Sequence, residues 1–408
     1  MRRVVVTGAG VISPLGDSPA ALHAALCAGE SALKTIELFS TDGLGCHQAG
    51  EIRPFDARAY LGERNLRPVD RTSRLLLVAA QQALAAGGWT AERLTAREMG
   101  LVLGTTFCSV RTIAEFDRRG QQLGPGYASP MDFANSVINA AAGQAAIWHD
   151  LRGVNSTLSG GEASGLMAIA YAADLIRSGR ADALLAGGVE ELCFESFVGC
   201  FRAGRLCGAA NGAGGEYPIP FDARRNGFAL SEGAALLLLE DAESAAARGA
   251  PVLAELRGHG AAFEGGREEP GAAVARAIGS ALADARLAPE RIDFASLSAN
   301  GSVAGDGAEA LGVAAAFGAR ARELPVAAVK GLLGEALGAS GALQAVALLG
   351  TFGDGVLPGI PDLERTDDGF PLGGVAAASR NVPAALGLAH ARGWDGHCCA
   401  VLFGEAEV

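Results

Sequence analysis

The sequence is poor in lysine, in aromatic side chains and in charge of either sign. Lys34 and Lys330 are the only lysines among 408 residues, and charged residues make up 19% of the chain. The formal net charge of −12 argues against nucleic acid or an anionic membrane as a partner. The longest aliphatic block, at 234–239, falls far short of the roughly 20 apolar residues that cross a bilayer. The sequence therefore predicts a globular protein that neither spans a membrane nor binds nucleic acid.

Regularly spaced cysteines are also lacking. The eight cysteines follow no repeating pattern and form no C-x-x-C pair, which argues against a disulfide framework and against a zinc site. No metal or other cofactor is predicted. The valine run that follows Arg3 is too short for the core of a signal peptide and leads into a glycine turn. We therefore expect a cytoplasmic protein.

Short apolar runs alternate with helical patterns along the chain. This alternation predicts an α/β fold with a buried, largely parallel sheet. An exposed break near Ala247 divides the chain into halves at 1–247 and 248–408, and no repeat relates them at the level of residues. The predicted strands are 3–6, 100–103, 183–185, 235–239, 294–297, 325–329 and 399–403. The predicted helices are 18–26, 71–86, 164–178, 271–285, 308–317 and 338–352.

Three common catalytic patterns are incomplete. The glycine turn at 7–16 is similar to a dinucleotide fingerprint, but its third glycine is displaced and Pro14 interrupts the helix start. The segment around Ser340 misses the G-x-S-x-G pattern by one position. His397 adjoins Cys398, but neighbours on a strand point to opposite faces. The residue patterns thus favour neither a nicotinamide site nor a serine hydrolase, and they indicate eight structural thiols.

The strongest local signal is the segment P-F-D-A-R-R-N-G-F-A-L-S-E-G-A at 220–234, followed by a buried strand. It resembles the P-F-D-x-x-R-x-G-F-x-x-G-E-G-A segment of β-ketoacyl-ACP synthases. The stretches 5–16, 179–190 and 330–341 resemble further segments of that family, so the resemblance covers nearly the whole chain. It implies the thiolase fold, with two similar halves in a duplicated α-β-α-β-α five-layer architecture, and an obligate dimer.

The resemblance also implies that the catalytic residues of the family have been lost. A condensing synthase needs a thiolate to carry the acyl chain and two histidines to stabilise charge. Glu162, just before Ala-Ser-Gly at 163–165, takes the place of the cysteine. Asn300 and Glu335 take the places of the histidines, while Lys330 is retained. With Glu-Asn-Glu in place of Cys-His-His, no catalytic residue and no condensation by this chain alone are expected.

The two glutamates raise an electrostatic question. If Glu162 and Glu335 share one pocket, their ionised carboxylates repel each other, and we expect Lys330, a proton or a hydrogen bond to relieve the repulsion. Glu335→Gln is then expected to raise stability at neutral pH. A role for Glu162 as a plain helix cap stays open.

Within the family, the chain is most similar to the chain length factor (KSβ) of type II polyketide synthases. That resemblance implies a heterodimer with an active ketosynthase, an acyl carrier protein reached through the complex, and a growing polyketide or polyene chain. It also implies that the segment after Leu103 helps to build the acyl tunnel. Ordinary core packing is the alternative for these positions. The tunnel or gate candidates are Phe107, Val110, Ile113, Phe116, Phe133 and Val137, together with Trp394 in the C-terminal loop.

Several alternatives remain open at this point. Chain length factors usually carry glutamine at the nucleophile position, and Glu162 departs from that pattern. The chain could instead be a malonyl-ACP decarboxylase or acyltransferase that uses Glu162 and Glu335, or a stand-alone acyl-binding homodimer. A patch of Arg202, Arg205, Arg224 and Arg225 could dock an acidic carrier protein, or could be scattered surface charge. The product, its chain length and the identity of the partner ketosynthase are not predicted.

Overall fold

The structure is a computed structural model that describes residues 2–96, 98–208, 215, 217–266 and 268–405. Its strands are β1 (Val4–Ile12), β2 (Leu33–Thr35), β3 (Gln48–Gly50), β4 (Gly100–Gly104), β5 (Asn155–Leu158), β6 (Ala183–Glu190), β7 (Gly233–Asp241), β8 (Ala254–Phe263), β9 (Phe294–Ser296), β10 (Val326–Ala327), β11 (Val356–Leu357), β12 (Arg380–Asn381), β13 (Leu386–Arg392) and β14 (His397–Gly404). Its α-helices are α1 (Pro19–Ala28), α2 (Arg58–Leu61), α3 (Arg71–Ala86), α4 (Ala91–Ala96), α5 (Val110–Leu123), α6 (Pro130–Ala134), α7 (Ala140–His149), α8 (Ser164–Arg177), α9 (Phe194–Arg202), α10 (Ala242–Ala247), α11 (Ala272–Ala285), α12 (Val303–Phe317), α13 (Lys330–Leu333) and α14 (Ser340–Asp354).

The main sheet of the described residues has ten strands in the order β10-β9-β13-β14-β8-β1-β7-β6-β4-β5. Its central pairings are antiparallel, whereas the outer pairings at both ends are parallel. The expectation of a largely parallel sheet was therefore wrong. Helices cover both faces of the sheet, so its parallel and antiparallel strands are buried alike. Both kinds of strand therefore appear in the sequence as similar aliphatic runs. Strands β13 and β14 are separated only by residues 393–396, and so short a connection makes them antiparallel.

The two halves of the sheet repeat one topology. The first half has the order β1-β7-β6-β4-β5, and the second has the same order as β8-β14-β13-β9-β10. The halves meet where β1 pairs with β8. This arrangement confirms the duplicated thiolase architecture. The predicted division after residue 247 falls at the end of α10 and stays a prediction.

Five layers follow from where the helices lie. Helices α8 and α14 pack against each other and contact strands of both halves, so they form the middle layer. Helices α3 and α7 cover the outer face of the first half, and α11 and α12 cover that of the second. Most residues of these two helices are small or aliphatic and buried, as expected of helices packed between two layers. One continuous apolar core therefore holds the segment before α8 and the segment before α14 close together.

Most predicted elements are present, with two instructive differences. The predicted strand 325–329 is only Val326–Ala327, because α13 begins at Lys330. The long strand β8 and the strand β13 were not predicted, since glycine, alanine and polar residues interrupt their apolar pattern. Among the described residues, no helix combines the length and the apolar character that a membrane crossing requires.

Candidate functional site

Glu162 lies in the turn between β5 and α8. Gly161 adopts a left-handed backbone conformation (φ 54°) immediately before it, and the Ser164 hydroxyl closes the turn by accepting from the N–H of Gly160 and donating to the carbonyl of Gly161. This turn places the Glu162 carboxylate at the N-terminus of α8, and its side chain is almost fully buried. The N–H of Trp394 donates to Glu162 Oε2 over 3.1 Å.

The environment of Glu162 favours its neutral form. Burial raises the pKa of its carboxyl to about 7, and the negative charge of Glu335 adds to that increase. The N–H groups of Glu162 and Trp394 and the charge of Lys330 act in the opposite direction. Glu162 is consequently poised between its neutral and ionised forms near neutral pH.

Glu335 is the anionic centre of a buried polar network. Its Oε2 accepts from Lys330 Nζ at 2.9 Å and from Asn300 Nδ2 at 2.8 Å, and its Oε1 accepts from the Ser340 hydroxyl. Lys330 Nζ also donates to Ser298 Oγ at 3.0 Å. The structure therefore places Asn300 and the retained Lys330 in direct contact with Glu335. Glu162 lies close enough for the charge of Glu335 to raise its pKa.

The loop that carries Asn300 is held by a second buried carboxylate, Asp306. This carboxylate accepts from the N–H groups of Phe221, Asn300 and Gly301. Burial raises the pKa of Asp306 to about 7 despite these hydrogen bonds. Because Phe221 belongs to the P-F-D segment, Asp306 connects the most recognisable sequence motif to the site.

A cavity of about 220 Å³ opens beside these residues. Its aromatic wall consists of Trp394 and Phe228, whose ring centroids lie 6.0 Å apart, and the guanidinium of Arg205 lies over Trp394 at 5.1 Å. The described lining includes neither cysteine nor histidine. Its residues are Glu162, Arg205, Phe228, Ser298, Ala299, Asn300, Ser302, Ala304, Gly305, Asp306, Glu309, Arg392 and Trp394.

The sequence did not identify a buried pair behind this cavity. His390 Nδ1 lies within hydrogen-bond distance of Glu309 Oε1, which also accepts from the N–H of Ser298. Both side chains are buried, although Glu309 reaches the cavity lining. The two residues are 81 positions apart, so no local motif signals the pair. Arg392 and Ser298 were missed for the same reason.

All the candidate tunnel residues except Trp394 form a separate group of exposed and half-buried side chains. Val110, Ile113 and Phe116 follow one another at three-residue spacing on α5, a helix with no buried side chain. The rings of Phe116 and Phe133 pack at 5.8 Å. In this chain by itself, Phe133 is 62% exposed, and Phe107, Ile113 and Val137 are exposed as well. These side chains are therefore not part of the core, and none of them lines the cavity that Trp394 borders.

Two of the four arginines in the candidate patch form ion pairs within the chain. Arg224 pairs with Asp222 and Glu364, and Arg225 pairs with Asp367. Arg205 stacks on Trp394 at the cavity. Of these three, Arg205 is the one placed to meet a molecule at the cavity mouth.

Comparisons with known proteins agree with this architecture. The family models described as beta-ketoacyl synthase, N-terminal domain and C-terminal domain match residues 1–245 and 253–364. The chain is 32% identical to 3-oxoacyl-[acyl-carrier-protein] synthase 2 of Coxiella burnetii, over 97% of this chain and 96% of that protein. It is 31% identical to the tetracenomycin polyketide synthase ketoacyl synthase alpha subunit of Streptomyces glaucescens, over 90% and 88% of the two chains. A solved structure, the ishigamide ketosynthase/chain length factor, superposes over 99% of each chain with a TM-score of 0.92 and 29% identity.

Proposed function

Because this chain belongs to the β-ketoacyl synthase family, we propose that it is a non-condensing subunit, a chain length factor, of a type II polyketide synthase. In this role it pairs with an active ketosynthase and shapes the tunnel that receives the growing chain. Its polyketide-synthase relative and its similarity to a ketosynthase/chain length factor structure support a place in polyketide biosynthesis.

One observation supports the proposal: a buried carboxylate, that of Glu162, lies at the N-terminus of α8, where the resemblance to the synthases puts the nucleophile. The buried Glu162 side chain sits at the N-terminus of α8 and accepts the N–H of Trp394. Acyl transfer needs such N–H donors for the oxyanion of the thioester, and here the side chain itself occupies one of them. A carboxylate is also no carrier for a thioester-bound chain.

The network around Glu335 supports the same conclusion. Imidazole groups stabilise charge during decarboxylation and condensation, but the Glu335 carboxylate is already matched by Lys330, Asn300 and Ser340. A buried network of matched charges and hydrogen bonds is rigid, and it offers a substrate no imidazole. We therefore regard the site as a filled and structurally stabilised remnant.

An exposed apolar surface supports the proposed heterodimer. Large exposed apolar patches on a single chain indicate a partner interface. Strand β5 lies at one edge of the sheet beside this surface, with β4 as its single neighbour in the described sheet, and an open edge offers backbone groups for pairing. The exposed apolar side chains of this stretch are Phe107, Ile113, Leu123, Tyr127, Met131, Phe133, Val137, Ile138 and Ile147.

The proposed heterodimer places the candidate gate where a partner can use it. Phe107, Ile113 and Phe133 belong to the exposed stretch, so a ketosynthase that covers it would enclose them. Bulky side chains then limit how far an acyl chain extends. The acyl carrier protein reaches the complex as the donor of the chain.

A second candidate function is decarboxylation of a malonyl-carrier substrate. The feature that favours it is the pKa of Glu162, raised to about 7 beside a cavity, since a general acid or base works best with a pKa near the operating pH. Relatives named 3-oxoacyl synthases are also compatible with an enzyme.

Co-expression with candidate ketosynthases separates these functions. We expect a one-to-one complex by native mass spectrometry and elongation of carrier-bound substrates only when the partner is present. The matched control is a complex in which the partner's catalytic cysteine is replaced by alanine, which should assemble but not elongate. Elongation by the isolated chain would overturn the proposal, and steady release of CO₂ from malonyl-carrier substrate would favour the decarboxylase. A stable homodimer that rejects every ketosynthase would favour an acyl-binding protein.

A further inference from the structure

Glu190 ends strand β6 with a carboxylate that is buried and fully bonded. Its Oε2 accepts from the N–H of Thr106 at 2.6 Å and of Gly338 at 3.2 Å, and its Oε1 accepts from the N–H of Phe107 at 3.0 Å. The Thr105 hydroxyl donates to the same carboxylate at 3.3 Å. Burial raises the pKa of Glu190 to about 7, and these backbone donors oppose the increase.

The donors come from two separate parts of the chain. Thr106 and Phe107 lie in the turn at residues 105–109, which leads from β4 into α5 and which we call the gate turn. Gly338 lies between Glu335 and Ser340, the pair that anchors the network beside the cavity. One carboxylate therefore joins the gate turn to the remnant site.

The gate turn and the segment around Gly338 touch through their backbones. A Cβ on Gly338 would lie 2.5 Å from the Cα of Thr105, and a Cβ on Gly188 would lie 2.3 Å from the Gly338 carbonyl oxygen. At these distances no side chain fits between the segments. The turn itself is tight, since Cys108 has a positive φ of 55° and its N–H is bonded to Thr105 Oγ.

Phe107 is the gate candidate most directly affected by this arrangement. Its backbone N–H is fixed by Glu190, while its side chain is exposed on the surface that we assign to the partner. A rigid backbone here fixes the direction in which the ring points, because the rotamer depends on the backbone. No contact between Glu190 and a substrate is needed for this effect.

We propose that Glu190 is a positioning residue that orients Phe107 and thereby sets the length of the chain that the tunnel admits. The inference rests on the proposed chain length function and adds a determinant outside the tunnel wall. The substitution Glu190→Gln replaces one acceptor oxygen by an NH₂ group, which cannot accept a hydrogen bond. In either orientation the turn loses one bond: that of Phe107 if Oε1 is replaced, or that of Thr106, together with that of Gly338, if Oε2 is replaced.

The test uses the complete heterodimer with its active ketosynthase, and product lengths are measured by liquid chromatography and mass spectrometry. We expect Glu190→Gln to raise the fraction of off-length products at least threefold, and Phe107→Ala to do the same. The Glu190→Gln substitution should add no further change in the Phe107→Ala background, because its effect passes through that ring. Thr105→Val removes one donor to Glu190 and should shift the distribution of product lengths in the same direction. It replaces Glu190→Gln in the test if that variant does not assemble with the ketosynthase.

Asp222→Asn is the matched control. Asp222 is also buried and accepts the N–H groups of Arg224, Glu364 and Arg365, but it has no bond to the gate turn. We expect this variant to lower stability while the product lengths stay those of the wild type. Unchanged product lengths in Glu190→Gln and Thr105→Val, or additive effects of Glu190→Gln and Phe107→Ala, would overturn the inference. Failure of the wild-type chain to form a productive heterodimer would instead overturn the proposed function.

Discussion

The backbone N–H of Trp394 donates to the carboxylate of Glu162 across 3.1 Å, and this bond joins the C-terminal hairpin to the N-terminus of α8. Trp394 comes from the second half of the chain and Glu162 from the first. Both residues line the cavity, so the contact puts there an acidic group whose protonation state depends on pH near neutrality.

The first prediction concerns the pH dependence of stability at Glu162. Its pKa is raised from an ordinary 4.5 to about 7 in the folded protein. Folding therefore favours the neutral form of the Glu162 carboxyl. The free energy of unfolding then decreases as the pH rises from about 4.5 through 7, because the buried carboxyl must ionise. We expect Glu162→Gln to be more stable than the wild type by about 3 kcal/mol at pH 8 and equal to it at pH 4. Urea unfolding across this range measures the difference, and Glu323→Gln, at a largely exposed side chain, should show no such dependence.

The second prediction concerns the buried ion pair of Lys330 and Glu335, whose atoms lie 2.9 Å apart. From the sequence we expected Glu335→Gln to raise the free energy of unfolding. Because Lys330, Asn300 and Ser340 all donate to the Glu335 carboxylate, we now expect the substitution to lower it. Removing either partner leaves a buried charge without its counterion and should cost about 3–5 kcal/mol.

A double-mutant cycle checks this second prediction. Lys330→Met combined with Glu335→Gln should lose clearly less than the two single losses together. Asp368→Asn, in the exposed pair with Arg365, should change stability by less than about 0.5 kcal/mol. Independent, additive losses at Lys330 and Glu335 would argue against a coupled pair.

The third prediction tests whether Glu162 stands where a nucleophile would act. All eight native cysteines are reduced and seven are buried, and burial raises the pKa of Cys27 to about 11 even though it is partly exposed. A cysteine introduced by Glu162→Cys would sit at a helix N-terminus, which lowers a thiol pKa.

We expect iodoacetamide at pH 7.5 to alkylate this new thiol at least tenfold faster than any native cysteine, as measured by peptide mass spectrometry. The variant should still fail to elongate carrier-bound substrates, because Asn300 and Glu335 provide no imidazole. Condensation by this single variant would contradict our account of the site.

The fourth prediction separates the gate from the core. Phe133 is 62% exposed and packs on Phe116, so Phe133→Ala should change the unfolding free energy of the isolated chain by less than about 1 kcal/mol. In the heterodimer it should shift the products toward longer chains. Leu311→Ala, at an exposed position on α12 in the other half, should alter neither property. A large loss of stability with unchanged products would place Phe133 in the core instead.

Much of the fold could be predicted from local patterns. Helix α3 begins and ends where the pattern places it, because Asp70 accepts the N–H of Ser73 at its start and Gly87 follows its end. Strand β8 escaped detection because Gly258 and Gly260 lie where helix α11 packs against it and no side chain fits. Its glycines therefore reflect tertiary contact, which a local pattern does not contain.

The candidate site, like the fold, could be predicted from the sequence only in part. Glu162, Asn300 and Glu335 could be located because each stands in a recognisable segment. The bond between Asn300 and Glu335 spans 35 residues, and the pair of His390 and Glu309 spans 81. Such pairings arise from how the two halves fold together, so no spacing rule predicts them.

The open edge at β5 has a consequence for how much of this polypeptide a cell can make. In the described sheet β5 has one neighbouring strand, and this edge, beside exposed apolar side chains, also favours pairing between copies of the same chain. Synthesis in excess of its partner would then end in precipitation or proteolysis. Balanced production of the two polypeptides, as from one shared messenger RNA, would protect it.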